Sequence, residues 1–223
     1  MDEILNKISI CVEFGKINKD SKYPPSLIDQ DGAIELTRKA LDLKIDPSKI
    51  LNDGMLDGMK KVGEKFKSNK IFLPEVLIAS KAMKGAMELL KPYFQSGEIN
   101  YKGKVILGTV SGDLHDIGKN IVKMVLEGGG WQVTDLGVNA DAEKFLSTVQ
   151  NNSVQIVGLS ALLTTTMQNM EIITKELKSN FKNIQVFIGG APVSQSFAEQ
   201  INADKYFPDP QTFLDYLNNH FAN

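Results

Sequence analysis

Two kinds of hydrophobic pattern divide this chain. Up to about residue 95, apolar residues recur three or four positions apart; beyond about residue 101 they come in short unbroken runs. The first kind marks helices with one buried stripe, the second strands covered on both faces. Ile4, Ile8 and Val12 predict a helix from residue 2 to about 15, which the polar stretch 16–25, ending in Pro24-Pro25, breaks. A second helix is expected over 32–43. A third begins at the N-cap Asp46, with Pro47 in the first helical position, and carries Leu51, Met55, Met59, Val62 and Phe66. A fourth opens at Leu73-Pro74, carries Val76, Ser80, Met83, Met87 and Leu90, and is expected to stop at Pro92. Four helices with short connections predict a small antiparallel bundle, with most of these Met and Phe side chains in its core.

Residues 95–100 read as a linker, after which the pattern changes. Runs at 104–109, 131–136, 154–159 and 184–188 predict strands. Helical stretches alternate with them at 117–126, 142–149, 163–177 and 193–201, and Asp209-Pro210 caps a last helix running through Leu217. Gly128-Gly129-Gly130 reads as the turn from the first of these helices into the second strand. Strands alternating with helices imply right-handed crossovers and a parallel sheet covered on both faces. The expected organisation is an N-terminal helix and Pro-containing linker over 1–25, a helical domain over 26–95, and a doubly wound α/β domain over 101–223.

Composition removes several function classes. The 25 basic and 27 acidic residues leave a formal charge of -2, so no basic face for nucleic acid is expected. No run approaches the 18 or so apolar residues that span a bilayer, and the amino terminus lacks the features of a signal peptide. Cys11 is the single cysteine. It excludes an internal disulfide and any zinc site of several thiolates, and it fits a reducing cytoplasm.

In an open parallel sheet, ligands sit beyond the carboxyl ends of the strands. Three segments fall there: Ser111-Gly112-Asp113-Leu114-His115-Asp116-Ile117-Gly118-Lys119-Asn120 after the first strand, residues 160–166 after the third, and Gly189-Gly190-Ala191-Pro192 after the fourth. All three are expected to converge on one rim. His115 is one of two histidines, the other being His220 near the carboxyl end. Asp113, two residues before it, can accept the proton of one ring nitrogen and leave the other free. That arrangement suits a general base, or the axial ligand of a metal already held by a macrocycle. It does not suit a free zinc ion, which needs three or four protein ligands. Gly112, Gly118, Gly189 and Gly190 either form tight turns or, taken together, admit a long ligand close to the backbone. Ser160, Thr164 and Thr166 are ordinary loop hydroxyls or contacts to such a ligand.

Asp113-x-His115-x-x-Gly118, followed by Ser160-x-Leu162 and Gly189-Gly190, resembles the cobalamin-binding module of methionine synthase and of the corrinoid proteins of methyltransferase systems. Residues 63–74, from Gly63-Glu64-Lys65-Phe66 to Leu73-Pro74, resemble the helical cap that precedes the module in that family. The likeness covers roughly residues 30 to 220. It implies two domains, an all-α helical bundle as cap followed by a Rossmann-like (flavodoxin-like) parallel-sheet α/β domain. It also implies a cobalamin or related corrinoid cofactor, cycling between methylcobalamin and cob(I)alamin. The benzimidazole would swing away from cobalt, and the nucleotide tail would lie buried in the α/β domain.

By that likeness His115 is the axial ligand of cobalt and Asp113 holds its far nitrogen. Thr166 falls where methionine synthase has a serine that extends this relay, a change that keeps the hydroxyl and adds a methyl group. Gly112, Leu114, Asp116, Gly118 and Leu162 contact the cofactor, while Ser160, Thr164, Gly189, Gly190 and Ala191 line the tail pocket. Phe66 and Leu73 lie over the upper face. Methylated Co(III) prefers six ligands and Co(I) four, so each transfer would attach and release His115. One cysteine and two histidines do not build the zinc site that activates acceptor thiols, and 223 residues leave no room for a barrel domain. The chain is therefore expected to be a carrier rather than a complete enzyme. Its expected partners are barrel-type methyl donor and methyl acceptor methyltransferases and a reductive activating protein, with neither nucleic acid nor membrane. The rival readings are an adenosylcobalamin-dependent mutase subunit, which shares Asp-x-His-x-x-Gly, a cobalamin-dependent sensor, and a B12-free phosphorelay-type domain.

Overall fold

Helix α1 (Asp2–Phe14) turns Leu5, Ile8, Cys11 and Val12 inward, as its four-residue apolar spacing requires. These side chains share one core with Leu36 of α2 (Ala33–Asp42), Met59 and Val62 of α4 (Asp57–Lys67), and Met83 and Leu90 of α5 (Leu73–Gln95). The first helix, set apart on sequence, is thus built into the helical unit. The structure is a computed structural model that describes residues 2–222; in it the chain divides into two compact units, the first running to Tyr101 and including Gly128–Gly130, the second formed by the rest of the chain from Lys102 on.

Two details of the helical unit depart from the expected pattern. The third helix is not regular: after α3 (Pro47–Lys49), capped by the Asp46 carboxylate on Ser48 N–H at 2.7 Å, it widens into a π-helical stretch, Ile50–Leu56, before α4. The wide turn brings Ile50, Leu51, Gly54 and Met55 inward together. Here α1 comes so close that a Cβ added at Gly58 would stand 2.6 Å from the Ser9 carbonyl. Nor does Pro92 stop α5, which runs on to Gln95. So near the end of the helix, the missing N–H removes one helical hydrogen bond, and the Pro92 carbonyl still accepts from Ser96 N–H at 2.9 Å.

The second unit is a five-stranded, all-parallel sheet in the order β2-β1-β3-β4-β5, built from β1 (Lys104–Thr109), β2 (Gln132–Asp135), β3 (Ile156–Ser160), β4 (Gln185–Gly189) and β5 (Lys205–Tyr206). Side chains alternate across it. Ile106, Val157, Val186 and Ile188 face one core with α7 (Ala142–Asn152) and α8 (Met167–Asn180). Val105, Leu107, Ile156 and Phe187 face the other with α6 (Ile117–Gly128) and α10 (Pro210–His220). A strand buried on both faces has no polar side to show, which is why the sequence reads as continuous apolar runs. Helix α9 (Gln195–Gln200) is capped by Ser194, and α10 by Asp209 as expected. Strand β5 was not expected: two residues, Lys205 and Tyr206, form no apolar run and pair only at the sheet edge. The order 2-1-3-4-5 places the topological switch between β1 and β3, so the crevice opens beyond the carboxyl ends of those two strands. None of the described helices is long and apolar enough to cross a membrane.

Burial pushes the Cys11 thiol up to about 11. The neutral thiol is the form the fold favours, so its contribution to stability is complete below the unfolded pKa of about 8.5 and is lost as the pH rises from there through about 11. In the folded protein at about pH 8, Cys11 should resist iodoacetamide and react only in concentrated urea, as read by mass spectrometry; rapid labelling of the native chain would contradict this.

Candidate functional site

The loop after β1 is organised around one carboxylate. Asp113 has no exposed surface, and its two oxygens take five hydrogen bonds. Oδ1 accepts from His115 N–H at 3.0 Å and is 2.8 Å from His115 Nδ1. Oδ2 accepts from Leu162 N–H at 2.8 Å, Leu163 N–H at 3.3 Å and the Thr166 hydroxyl at 2.8 Å. Burial opposes ionisation of this group, yet the hydrogen bonds from Leu162, His115 and Thr166 outweigh it and hold the carboxyl well below the usual carboxylate range. An ionised carboxylate only accepts. His115 Nδ1 is therefore the donor of that pair, and Nε2 lies on the far side of a ring half exposed to solvent.

These contacts join the β1 loop to the β3 loop. They also explain why α8 begins at Met167 rather than at residue 163. The Leu162 and Leu163 amides and the Thr166 hydroxyl are committed to Asp113, so residues 164–166 form a 3-10 turn instead. The Thr166 hydroxyl has one proton and two acceptors at 2.8 Å, Asp113 Oδ2 and the Leu163 carbonyl. Its methyl group faces Gly112, where an added Cβ would come within 3.6 Å.

The remaining expected site residues, with their neighbours Ile117 and Leu163, lie in the loops, along the rim and in the helical unit. Leu114 and Ile117 are 72% and 68% exposed, and Leu162 and Leu163, whose amides meet Asp113, are 44% and 42% exposed. Asp116, just before α6, accepts from the Asn120 side-chain amide at 3.0 Å, and a Cβ added at Gly118 would meet no atom within 4 Å. Ser160 ends β3 in register with Thr109 on one side and Gly189 on the other, so the β1, β3 and β4 ends share one rim. Thr164 and Ala191 are exposed on it. Gly190 has a reason internal to the chain: at φ +134° an added Cβ would lie 1.8 Å from the Ala161 carbonyl. Phe66 and Leu73 belong to the helical unit, Phe66 packed against its core and Leu73 opening α5.

Several residues that organise this rim carry no sequence signal. Thr109, fully buried, donates its hydroxyl to the His115 carbonyl at 3.0 Å. Asn169 Nδ2 donates to the Ser111 carbonyl at 2.7 Å, and Asn139 Oδ1 accepts from Gly112 N–H at 2.7 Å. Lys119 is only 3% exposed and sets its ammonium 2.7 Å from Asp135 Oδ1 and 2.8 Å from Asn120 Oδ1. Lys119 lies in the motif stretch, but nothing in the spacing ties it to Asp135; Asn139 stands out only as a turn residue two positions past Gly137.

The family models agree with this architecture: a B12 binding domain matches residues 103–211, and a second B12 binding domain model matches residues 28–91. Trimethylamine corrinoid protein 1 of Methanosarcina acetivorans is 40% identical over 182 residues, covering 80% of this chain and 84% of the relative. A corrinoid protein of Desulfitobacterium hafniense is 39% identical over 183 residues, covering 79% and 84%. Among solved structures, the methanol:cobalamin methyltransferase complex MtaBC from Methanosarcina barkeri matches with a TM-score of 0.83 and 29% identity, over 100% of this chain and 82% of that one. The chain belongs to the corrinoid proteins of methyltransferase systems: it is a methyl-carrying protein with a B12-type cofactor.

The rim fits such a group on its own evidence. A single histidine nitrogen with a free lone pair suits a metal whose other positions a macrocycle fills, and among the described residues no group of three or more His, Cys, Asp or Glu could hold a metal ion. Leu114, Leu162 and Leu163 lie exposed in the two loops that meet at Asp113, Ile117 is exposed at the start of α6, and the space beside Gly118 is open. An apolar ligand face would cover what the chain leaves bare.

Asp113→Asn keeps the shape but places an NH2 against groups that are themselves donors, and should cost about 3 kcal/mol at neutral pH. The wild-type carboxylate has its pKa depressed, so its contribution is full above the unfolded value of about 3.9 and is lost as pH falls. Urea unfolding from pH 6 down to about 3 should show a steeper loss in wild type than in Asp113→Asn; parallel curves would be the contrary result. Gly190→Ala, forced into contact with the Ala161 carbonyl, should lose roughly 3 kcal/mol in the same assay.

Proposed function

We propose that His115 is the protein's ligand to the corrinoid cobalt and that this chain shuttles methyl groups between two separate methyltransferases. The observation that carries the assignment is the His115 ring itself, held at Nδ1 by a buried, ionised Asp113 and left free at Nε2. When bound, the corrinoid supplies a cobalt centre that accepts a methyl group and gives it up.

The residues of the chain do the rest. Asp113 holds Nδ1 at 2.8 Å and so fixes the tautomer and the orientation of the ring. Thr166 steadies Asp113 Oδ2 from the other side. Leu114 and Leu162 supply apolar contact beside the histidine, and Gly112, Asp116 and Gly118 allow the backbone to come close. We assign Ser160, Thr164, Gly189, Gly190 and Ala191 to the cofactor's tail, with Gly190 also answering to its own packing. Phe66 and Leu73, in a helical cap spanning 26–95, are assigned to the opposite face of the ring.

The partners are proposed to be barrel-type methyltransferases for donor and acceptor, with a reductive activating protein that returns oxidised cobalt to use. The setting is the cytoplasm, where Cys11 stays a thiol. A relative named for trimethylamine directs the first donor trials to methylamines, and MtaBC makes methanol the next.

His115→Ala, reconstituted with methylcobalamin, should retain some corrinoid but lose the absorption spectrum of histidine-ligated cobalt. A spectrum identical to wild type would overturn the assignment.

A further inference from the structure

The loop between β2 and α7 meets the histidine loop through a residue that the chemistry above leaves unused. Asn139 Oδ1 accepts from Gly112 N–H at 2.7 Å, and Asn139 N–H donates to the Asp113 carbonyl at 3.0 Å. The Ser111 hydroxyl reaches the same Oδ1 at 3.5 Å. Gly112 has φ +79° and Asn139 φ +52°, so both sit in the left-handed region, where glycine and asparagine are tolerated best. The two loops therefore hold each other in a two-point clasp.

The base of the clasp is rigid. Thr109 N–H donates to the Gly137 carbonyl and Ala140 N–H to the Thr109 carbonyl, both at 2.9 Å, so Asn139 is tied to the end of β1 on both sides. Asp135 Oδ1 accepts from Gly137 N–H at 2.9 Å and from the buried Lys119, which fixes the start of the same loop to α6. Left alone, glycine at 112 could take several conformations, and each would swing the Asp113 main chain and its carboxylate. The clasp removes that freedom immediately before the residue that orients His115.

We infer that Asn139 is a positioning residue for His115, acting through Gly112 and Asp113 to aim the free ring nitrogen. The inference rests on the assignment of His115 as the cobalt ligand. It concerns a residue that touches neither the histidine nor any of the expected cofactor contacts except Gly112 and Asp113.

Three variants of the full chain separate the hydrogen bond from backbone strain. Asn139→Asp keeps an acceptor oxygen and tolerates positive φ; Asn139→Gly tolerates it better but has no acceptor; Asn139→Ala lacks both and replaces the glycine variant should that not fold. After reconstitution with methylcobalamin, the ratio of histidine-bound to histidine-free cobalt is read from the absorption spectrum at neutral pH. It should fall about threefold to tenfold in Asn139→Gly, the scale of one lost hydrogen bond, and stay near wild type in Asn139→Asp. In the cofactor-free proteins, nitrogen-15 NMR should report the Nδ1–H tautomer of His115 in wild type and Asn139→Asp, and a mixture in Asn139→Gly. A wild-type ratio and tautomer in Asn139→Gly would sink the proposal, as would an Asn139→Asp variant that falls as far as the glycine one. His115→Ala is run alongside. If it keeps the wild-type spectrum, the parent assignment fails; if it loses the spectrum while Asn139→Gly does not, only the role of Asn139 fails.

Discussion

Everything at the rim hangs on the burial of one negative charge. A carboxylate with no access to water is costly unless its lone pairs are filled, and Asp113 fills them with five donors drawn from two loops. The donors from Leu162, Leu163 and Thr166 bind β3's loop to β1's, and the ring of His115 takes the place that remains. Oδ1 holds the ring at Nδ1, 2.8 Å away, and so sets its orientation. The direction of the free nitrogen is thus a consequence of satisfying Asp113.

The sheet decides where this happens. In the order 2-1-3-4-5 the connections from β1 and β3 leave in opposite directions, and the gap between them is the natural place for a ligand. Leu114, Leu162 and Leu163 in these loops and Ile117 at the start of α6 are exposed apolar side chains that a bound ligand would cover. Here the exposed apolar surface and the free lone pair occur together, which is what a flat metal macrocycle asks of a protein. If His115 is the cobalt ligand, as proposed, a half-exposed ring on a loop can detach more readily than one locked in the core.

Much of the fold was legible in the sequence because burial on two faces leaves a plain signature. β1, β3 and β4 are unbroken apolar runs, and Asp46-Pro47 and Asp209-Pro210 start helices because an acceptor side chain and a missing N–H suit the first turn. β5 was not legible, since a two-residue edge strand needs only its backbone. Pro92 misled because it costs only the hydrogen bond to, and a clash with, the carbonyl four residues earlier, which the packed length of α5 tolerates. The late start of α8 could not be read from residues 163–166, whose polar groups are taken by a carboxylate some 50 positions earlier in the chain.

The site divides along the same line. Asp113, His115 and Gly118 are local, and their spacing already brings a carboxylate to a ring nitrogen two residues away. That Asp113 is buried and charged, that Lys119 meets Asp135, and that Asn139 clasps Gly112 depend on segments brought together by the sheet. A sequence determines contacts within a turn or a strand through steric and hydrophobic periodicity. The strength and aim of a hydrogen bond depend on the dielectric around it and on partners far along the chain, and those exist only once the sheet has formed.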